Sequence, residues 1–243
     1  MKKLFTFLLI ALGLGSNLVV HANNPISLSA SKHFGDERDV KNFHGVAAGG
    51  PITVIVTLGS KESCRFEGDQ EAIATLVTEV KSDILIIRPQ TSWKSWSKKY
   101  ENVKIVAYVS AKSLSSLTMS GNGSITVNGA IQAKSFTATL SGSGWIKANV
   151  DADNFSGVIS GSGSLSMTGG AEDADIVISG SGNFNGKGFA VNDLSTTISG
   201  SGAVNIKADR KIDATISGSG NVNYTGNATV EKTVLGSGKV RKI

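Results

Sequence analysis

Residues 198–206 read ISGSGAVNI, a Ser-Gly-x-Gly phrase set among apolar residues that alternate with polar ones. Seven copies of this phrase, the last one degenerate, follow one another between Ser120 and Gly238. Their first glycines lie 18 to 21 residues apart, and a fixed period of this size indicates one supersecondary unit stacked on copies of itself. The repeat glycines are Gly121, Gly123, Gly142, Gly144, Gly161, Gly163, Gly180, Gly182, Gly200, Gly202, Gly218, Gly220, Gly236 and Gly238.

The residues around each phrase alternate with a period of two. In the fifth copy Ile198, Val204 and Ile206 have one parity, and Ser199 and Ser201 have the other. This pattern is typical of a β-strand with one buried face. Inward glycines would leave voids in a flat strand. We therefore predict a corner where only glycine tolerates the backbone angles or the close approach, with the serines forming a ladder outside it.

These features predict an all-β protein built as a parallel β-helix, also called a β-solenoid. About seven regular coils of 18–21 residues occupy residues 111–243. A β-propeller fits poorly because each blade needs about forty residues or more. A two-sheet sandwich is possible but does not explain the equal spacing. We predict a right-handed coil, in keeping with the hand of parallel crossovers.

Residues 39–110 show a less regular β pattern with one short helix. Residues 48–54 look like a worn copy of the glycine corner. Further strands are predicted over residues 63–68, 84–88 and 102–109. The helix is predicted over about residues 69–81, with Asp69 as its N-cap, and it would cover the open end of the coil stack. Its apolar face comprises Ile73, Leu76, Val77 and Val80.

The first 22 residues have the features of a signal peptide. Lys2 and Lys3 precede an apolar run over residues 4–14, and Val20-His21-Ala22 matches a small-residue cleavage site. The run is shorter than the about 20 residues of a spanning helix, and no later segment is apolar enough to span a membrane. We expect export to the periplasm, cell surface or extracellular space, with residues 23–38 as an N-terminal linker.

Charge and cysteine content narrow the function classes. The chain has 24 basic and 19 acidic residues, a formal net charge of +5 that is spread along its length. That distribution does not suggest a nucleic-acid-binding protein. Cys64 is the only cysteine, so no intrachain disulfide can form, and we expect it to be a small buried hydrophobe.

Residues 93–100 read WKSWSKKY and form the candidate binding segment. Flat aromatic rings with polar neighbours suit stacking on sugars, and lysines suit anionic glycans or lipid headgroups. The alternative is a hairpin-like loop whose rings pack on the neighbouring coil while the lysines reach solvent. The candidate residues are Trp93, Lys94, Trp96, Lys98, Lys99 and Tyr100.

Catalytic and metal-binding chemistry finds little support in the sequence. The outward serines need a base within hydrogen-bond reach, and after residue 22 the only histidines are His33 and His44, far upstream of the repeats. Two histidines and one cysteine make no zinc set. Acids recur in the turns and could hold Ca²⁺, but we expect them to face water as ordinary turn residues. We predict no cofactor and no metal. The turn acids are Asp151, Asp153, Glu172, Asp173, Asp175, Asp193, Asp209 and Asp213.

The sequence resembles a known family in the order of its segments. These segments are the signal peptide, residues 40–43, residues 52–56, Phe66-Glu67-Gly68-Asp69 and the Ser-Gly-Ser-Gly repeats. It is the family described as "putative auto-transporter adhesin, head GIN domain", exported proteins abundant in Bacteroidetes. The resemblance covers roughly residues 39–242. It implies an all-β, helix-like fold outside the cytoplasm, and the family has no catalytic motif to transfer.

We therefore predict a non-catalytic, exported binding or structural module, acting as a cell-surface adhesin or a polysaccharide-attachment protein. Its partners would be a glycan or a cell-surface or envelope protein, and not nucleic acid. The first alternative is a periplasmic scaffold that binds a protein partner. The second is a polysaccharide-active β-helix enzyme, which would need clustered Asp with Arg or Lys on one face.

Overall fold

The computed structural model describes residues 36–91, 93–100 and 103–243. The signal peptide predicted for residues 1–22 and the linker up to residue 35 lie outside the described residues. Neither helix of the described part is long and apolar enough to cross a membrane.

The N-terminal part contains nine short elements: β1 (Asp36–Arg38), β2 (Gly45–Gly49), β3 (Thr53–Leu58), β4 (Ser63–Gly68), α1 (Gln70–Ala74), β5 (Leu76–Lys81), β6 (Ile84–Pro89), α2 (Trp93–Lys99) and β7 (Ile105–Ala111). The repeat region contains β8 (Ser116–Gly121), β9 (Ser124–Gly142), β10 (Trp145–Gly161), β11 (Ser164–Gly180), β12 (Asn183–Gly200), β13 (Ala203–Gly218), β14 (Asn221–Thr225), β15 (Thr229–Gly236) and β16 (Lys239–Lys242).

The strands stack as a parallel β-solenoid of about seven turns, as predicted. Each of β9 to β13 pairs in parallel with the strand of the coil before it and the strand of the coil after it. The two halves of the next coil continue separately, with β14 and β15 both paired to β13. Antiparallel pairing occurs only near the N-terminal end of the described residues, between β1 and β4, β4 and β7, and β5 and β6.

The repeat glycines form a corner between consecutive coils, as predicted. The first glycine of every copy has a positive φ between 112° and 130°. A Cβ atom on Gly161 would lie 2.5 Å from the carbonyl oxygen of Gly142 in the coil below. That oxygen accepts hydrogen bonds from the backbone nitrogens of Ser162 and Gly163, both at 3.0 Å. Adjacent coils therefore approach too closely at this corner for a side chain.

The serine ladder and the worn corner are also confirmed. Ser141, Ser160 and Ser179 pair in register on successive coils and are exposed. In the N-terminal part Gly50 has φ 91°, and its nitrogen donates to the Ser120 carbonyl at 2.8 Å. The less regular region thus continues the same stack of coils.

The interior of the repeat region contains a cluster of aromatic rings. The ring centroid of Phe155 lies 6.4 Å from that of Phe136, 5.8 Å from that of Phe184 and 5.0 Å from that of Phe189. All four side chains are buried. Phe184 and Phe189 come from β12, two coils above Phe155, and the ladder partner of Phe155 on the coil between them is the small residue Ala174.

The helix predicted over residues 69–81 is wrong in its extent. Asp69 is the N-cap, and its Oδ1 accepts a hydrogen bond from Ala72 N at 2.9 Å, but α1 ends at Ala74. Residues 76–81 instead form β5, which pairs antiparallel with β6. Valine and threonine in this segment favour a strand, and the unpaired edge of β6 supplies hydrogen-bond partners that a second helical turn could not use. The second helical segment, α2, lies where a hairpin-like loop was the alternative.

Other N-terminal expectations match the structure more closely. The strand predicted over residues 63–68 is β4, and the strand predicted over residues 102–109 begins at Ile105. Cys64 is fully buried, as expected. Burial raises the pKa of its thiol to about 12, so the group stays neutral at physiological pH.

Lys232 occupies an unusual position in β15. Its ladder on the preceding coils consists of Ile176, Thr196 and Ala214, which are buried, yet Lys232 is exposed. Within the described residues β15 pairs with β13 alone, so its other edge has no strand partner. A charged side chain at a core position is a known way of protecting such an edge from association.

Lys232→Val is therefore expected to promote edge-to-edge association, because the charge that opposes stacking is replaced by a β-branched apolar side chain. Light scattering coupled to size exclusion should detect higher-mass species for this variant. Thr233→Val is the control, since Thr233 lies on the outward side of the same strand and should leave the mass unchanged. Equal masses for the two variants would contradict a protective role for Lys232.

Candidate binding surface

The predicted binding segment forms α2, which is anchored to α1 through Trp96. Trp96 is 3% exposed, and its Nε1 donates a hydrogen bond to Thr75 Oγ1 at 2.8 Å. Its ring centroid lies 5.0 Å from that of Tyr100, which is 7% exposed. These two rings pack inside the protein and present no open face to a sugar.

The lysines of this segment are more accessible. Lys99 Nζ lies 2.8 Å from Glu71 Oε1, and the Tyr100 hydroxyl donates to the same oxygen at 3.3 Å. This pairing lowers the pKa of Glu71 and raises that of Lys99. Lys98 is exposed, and the side chains of Trp93 and Lys94 lie outside the described ones. Ligand binding by this segment stays a prediction, and it no longer includes the Trp96 and Tyr100 rings.

A polar groove of about 700 Å³ lies where β9 to β13 bend on the side away from the glycine corner. Ala133, Ala152, Ala171 and Val191 pair in register along it, and these short side chains leave the surface concave. Acids predominate among its charged side chains, and Lys134 is the basic one. The acids are Asp151, Asp153, Glu172 and Asp209.

The remaining turn acids lie outside this groove. Asp193 receives two hydrogen bonds from Arg210, at 2.7 and 2.5 Å, which hold the pKa of that carboxyl below its usual value. In the described part of the chain no three His, Cys, Asp or Glu side chains are arranged to hold a metal ion. His44 Nδ1 lies 3.0 Å from Ser113 Oγ in the N-terminal coils, and no hydrogen bond joins it to a described repeat serine.

The most distinctive solvent-facing surface is formed by the strand segments that follow the glycine corner. We call it the basic face and define it as residues 124–128, 145–149, 164–168, 183–187, 203–207, 221–225 and 239–241. These segments are neighbours in one sheet, in the order β9, β10, β11, β12, β13, β14 and β16. They contain no Asp, Glu, His or Cys. Their basic residues are Lys147, Lys187, Lys207, Lys239 and Arg241, all exposed.

Trp145 lies on the basic face and is 43% exposed. Its neighbours in the ladder are Ser124 on the coil below and Ser164 on the coil above. Ser124 is only 6% exposed, whereas Ser164 is partly exposed. The short Ser164 side chain leaves room beside the indole ring on the coil above. An indole in this position combines a flat apolar surface with an N–H donor, and it can accept a planar or ring-shaped ligand against its face.

The basic face is rich in asparagine. Arg241 Nε donates to Asn223 Oδ1 at 2.7 Å, and Asn223 Nδ2 donates to Asn205 Oδ1 at 3.0 Å. This chain of hydrogen bonds sets the direction of the two amides and leaves the amide N–H group of Asn205 as the donor at its end. The face carries seven asparagines: Asn128, Asn149, Asn183, Asn185, Asn205, Asn221 and Asn223.

The strand segments that precede the glycine corner have the opposite charge. We call them the acidic face: residues 135–141, 154–160, 173–179, 193–199, 211–217 and 229–235. Lys211 and Lys232 are its basic residues, and Lys211 pairs with Glu231 at 3.0 Å. The strand segments before and after the glycine corner thus differ in the sign of their charge. The acids are Asp173, Asp175, Asp193, Asp213 and Glu231.

Sequence reasoning missed the basic face. The signal was present in the outward positions after each glycine pair, where Trp145, Lys147 and Lys207 have the parity of solvent-facing residues. Within a single coil, these positions look like the solvent-facing positions of any β-strand. Their common charge becomes visible only when the coils are placed in register.

Solved structures of other proteins have a similar fold. A putative adhesin from Bacteroides fragilis NCTC 9343 superposes with a TM-score of 0.77 at 20% identity, covering 86% of this chain and 96% of that one. A putative lipid binding protein from Parabacteroides distasonis ATCC 8503 gives 0.65 at 23% identity, with coverages of 86% and 96%. A putative adhesin from Parabacteroides merdae ATCC 43184 gives 0.63 at 19% identity, with coverages of 86% and 95%.

At these identities the similarity to solved structures establishes the fold alone. No curated protein sequence matches the chain. The family model described as "Putative auto-transporter adhesin, head GIN domain" matches residues 42–228, most of the chain. The chain therefore belongs to this family of proteins named as adhesin head domains.

Proposed function

We propose that the protein is an exported, non-catalytic attachment module that binds a polysaccharide along its basic face. The observation that carries this proposal is Trp145, a 43% exposed indole on a sheet surface whose uncharged polar side chains are serines, threonines and asparagines. An aromatic face accepts the apolar side of a sugar ring, and amides and hydroxyls exchange hydrogen bonds with its hydroxyl groups.

The repetition of the fold supports a polymeric ligand. Successive coils present similar polar groups about 4.8 Å apart, so an extended polymer of similar units could contact several coils in the same way. The family name and the two neighbours named as adhesins are consistent with attachment. The basic face contains no carboxylate or imidazole, so it offers neither of the usual general bases, which supports binding without catalysis.

Trp145→Ala is expected to weaken polysaccharide binding by about tenfold, because the stacking surface is removed. A glycan array identifies ligands of the full exported chain, and affinity electrophoresis in gels containing the best ligand measures the change. Trp145→Phe should retain part of the affinity, since phenylalanine keeps a flat ring.

The control is Ser160→Ala, which removes one hydroxyl from the serine ladder on the acidic face and should leave binding unchanged. Thermal unfolding should be nearly the same for all three variants because residues 145 and 160 are exposed. Wild-type affinity in Trp145→Ala would refute binding at this face.

A further inference from the structure

The cations of the basic face are largely uncompensated. Within the described residues, no carboxylate lies within ion-pair distance of Lys147, Lys187 or Lys239. Arg241 uses its Nε to contact an amide oxygen, that of Asn223. Lys207 alone is paired, with Asp209 at 3.2 Å at the border of the polar groove. Four cations are therefore available to an external anion.

These cations are spread along the solenoid rather than gathered at one point. Lys147 lies on β10, Lys187 on β12, and Lys239 and Arg241 on β16. β10 and β16 are separated by five strand-to-strand steps in the sheet, a distance of about 24 Å at about 4.8 Å per step. A single small anion cannot contact cations over this distance. A chain with anionic groups at intervals can.

The acidic surfaces elsewhere on the protein restrict such a chain to the basic face. Along each coil the acidic face lies beyond the polar groove, and the groove carries four carboxylates and one lysine. A polyanion is repelled when it approaches these carboxylates closely, because like charges repel. On the basic face it meets cations and no acidic side chain.

The asparagines distinguish a glycan from other polyanions. Seven asparagines share this surface with the cations, together with the hydroxyl groups of Thr126, Ser164 and Ser166. Amides and hydroxyls both donate and accept hydrogen bonds, which matches sugar hydroxyls. A bilayer surface would make little use of them. Four cations spread over about 24 Å are too sparse to match duplex DNA, which carries about one negative charge per 1.7 Å of its axis.

Building on the proposed function, we infer that the polysaccharide bound by the basic face is anionic. Its carboxylate or sulfate groups contact Lys147, Lys187, Lys239 and Arg241. Trp145 stacks on a sugar ring, and the asparagines between the cations bind hydroxyl groups. The shared chemistry is a sugar backbone with acidic substituents at intervals.

The inference can be tested with three polymers that share one backbone: dextran, carboxymethyl-dextran and dextran sulfate. We expect the full chain to bind the two anionic polymers at least about tenfold more tightly than dextran at low salt. The preference should fall by about tenfold between 50 and 300 mM NaCl, because a few cation contacts are screened. The preferred anionic polymer shows whether carboxylate or sulfate fits better.

The decisive variant is Lys147→Gln/Lys187→Gln/Lys239→Gln, which should lose most of the preference for the anionic polymers and keep any affinity for dextran. The matched control, Lys61→Gln/Lys81→Gln/Lys134→Gln, removes the same charge from exposed lysines outside the basic face and should bind like the wild type.

The possible failures are distinguishable. Equal affinity for dextran and its anionic derivatives, with loss of both in Trp145→Ala, overturns the inference and leaves polysaccharide attachment intact. Binding of duplex DNA or phosphatidylglycerol vesicles as tight as that of the anionic polymers means that charge alone is recognised, which overturns the glycan assignment. Absence of binding to all three polymers and to every glycan on the array rejects the proposed function as well.

Discussion

Replacing Gly161 with alanine is expected to destabilise the solenoid by about 3 kcal/mol or more, although only one methyl group is added. Gly161 has φ 121°, a conformation that an L-residue adopts only with strain. The new Cβ would lie 2.5 Å from the Gly142 carbonyl oxygen. Relief of that overlap requires the coils to separate, and separation weakens the two hydrogen bonds that this oxygen accepts from Ser162 and Gly163.

Guanidinium unfolding followed by far-ultraviolet circular dichroism measures the loss. Gly49→Ala is the matched control, because Gly49 lies in the worn copy of the corner, next to the positive-φ Gly50, and pairs in register with Ser120. A Cβ there would meet nothing closer than the Cβ of Arg88 at 3.5 Å. Similar unfolding midpoints for the two variants would show that close backbone approach does not dictate the repeat glycines.

The second large effect is expected for Phe155→Ala, which should lower the unfolding free energy by about 3–5 kcal/mol. The Phe155 side chain is 2% exposed, and its ring is within 6.4 Å, centroid to centroid, of three other phenylalanine rings. Those rings belong to β9 and β12, so a cavity at residue 155 removes contacts from coils on both sides. Backbone hydrogen bonds in the ladders limit how far these coils can collapse into the space.

Phe155→Leu should lose much less, because leucine fills most of the volume, and Ser156→Ala should lose almost nothing. Denaturant unfolding of the three variants side by side checks this order. A loss for Phe155→Ala no larger than that for Phe155→Leu would mean that the solenoid closes around the missing ring and that the aromatic cluster adds little to stability.

The repeat region was predictable because its signals are local. Alternation of apolar and polar residues reports which side chains point inward, since successive side chains of a strand point to opposite faces. The N-terminal part was harder to predict. Residues 76–81 have helical spacing of apolar side chains, but the edge of β6 is available to them and converts the segment into a strand. Propensity within a short segment gives way to such a tertiary partner.

The candidate binding surface could likewise be predicted from the sequence only in part. Residues 93–100 were predicted to bind a ligand because two tryptophans and three lysines are close in sequence. In the structure, however, Trp96 is turned inward by its hydrogen bond to Thr75 and its contact with Tyr100. Trp145 is a single tryptophan with no aromatic neighbour in sequence, yet of the two tryptophans whose side chains the structure describes it is the exposed one. Neither outcome follows from spacing along the chain.

The sequence alone determined the coil length, the inward and outward sides of each strand and the glycine corner, because each depends on residues a few positions apart. The tertiary structure decided which outward residues share a surface. Lys147, Lys187 and Lys239 are separated by tens of residues, and they share one face only because β10 to β16 stack on one another, with Lys187 at a register shift of β12. The same stacking places the acidic side chains in the polar groove and on the acidic face. Charge separation between the two faces is thus a property of coil register, which no single repeat contains.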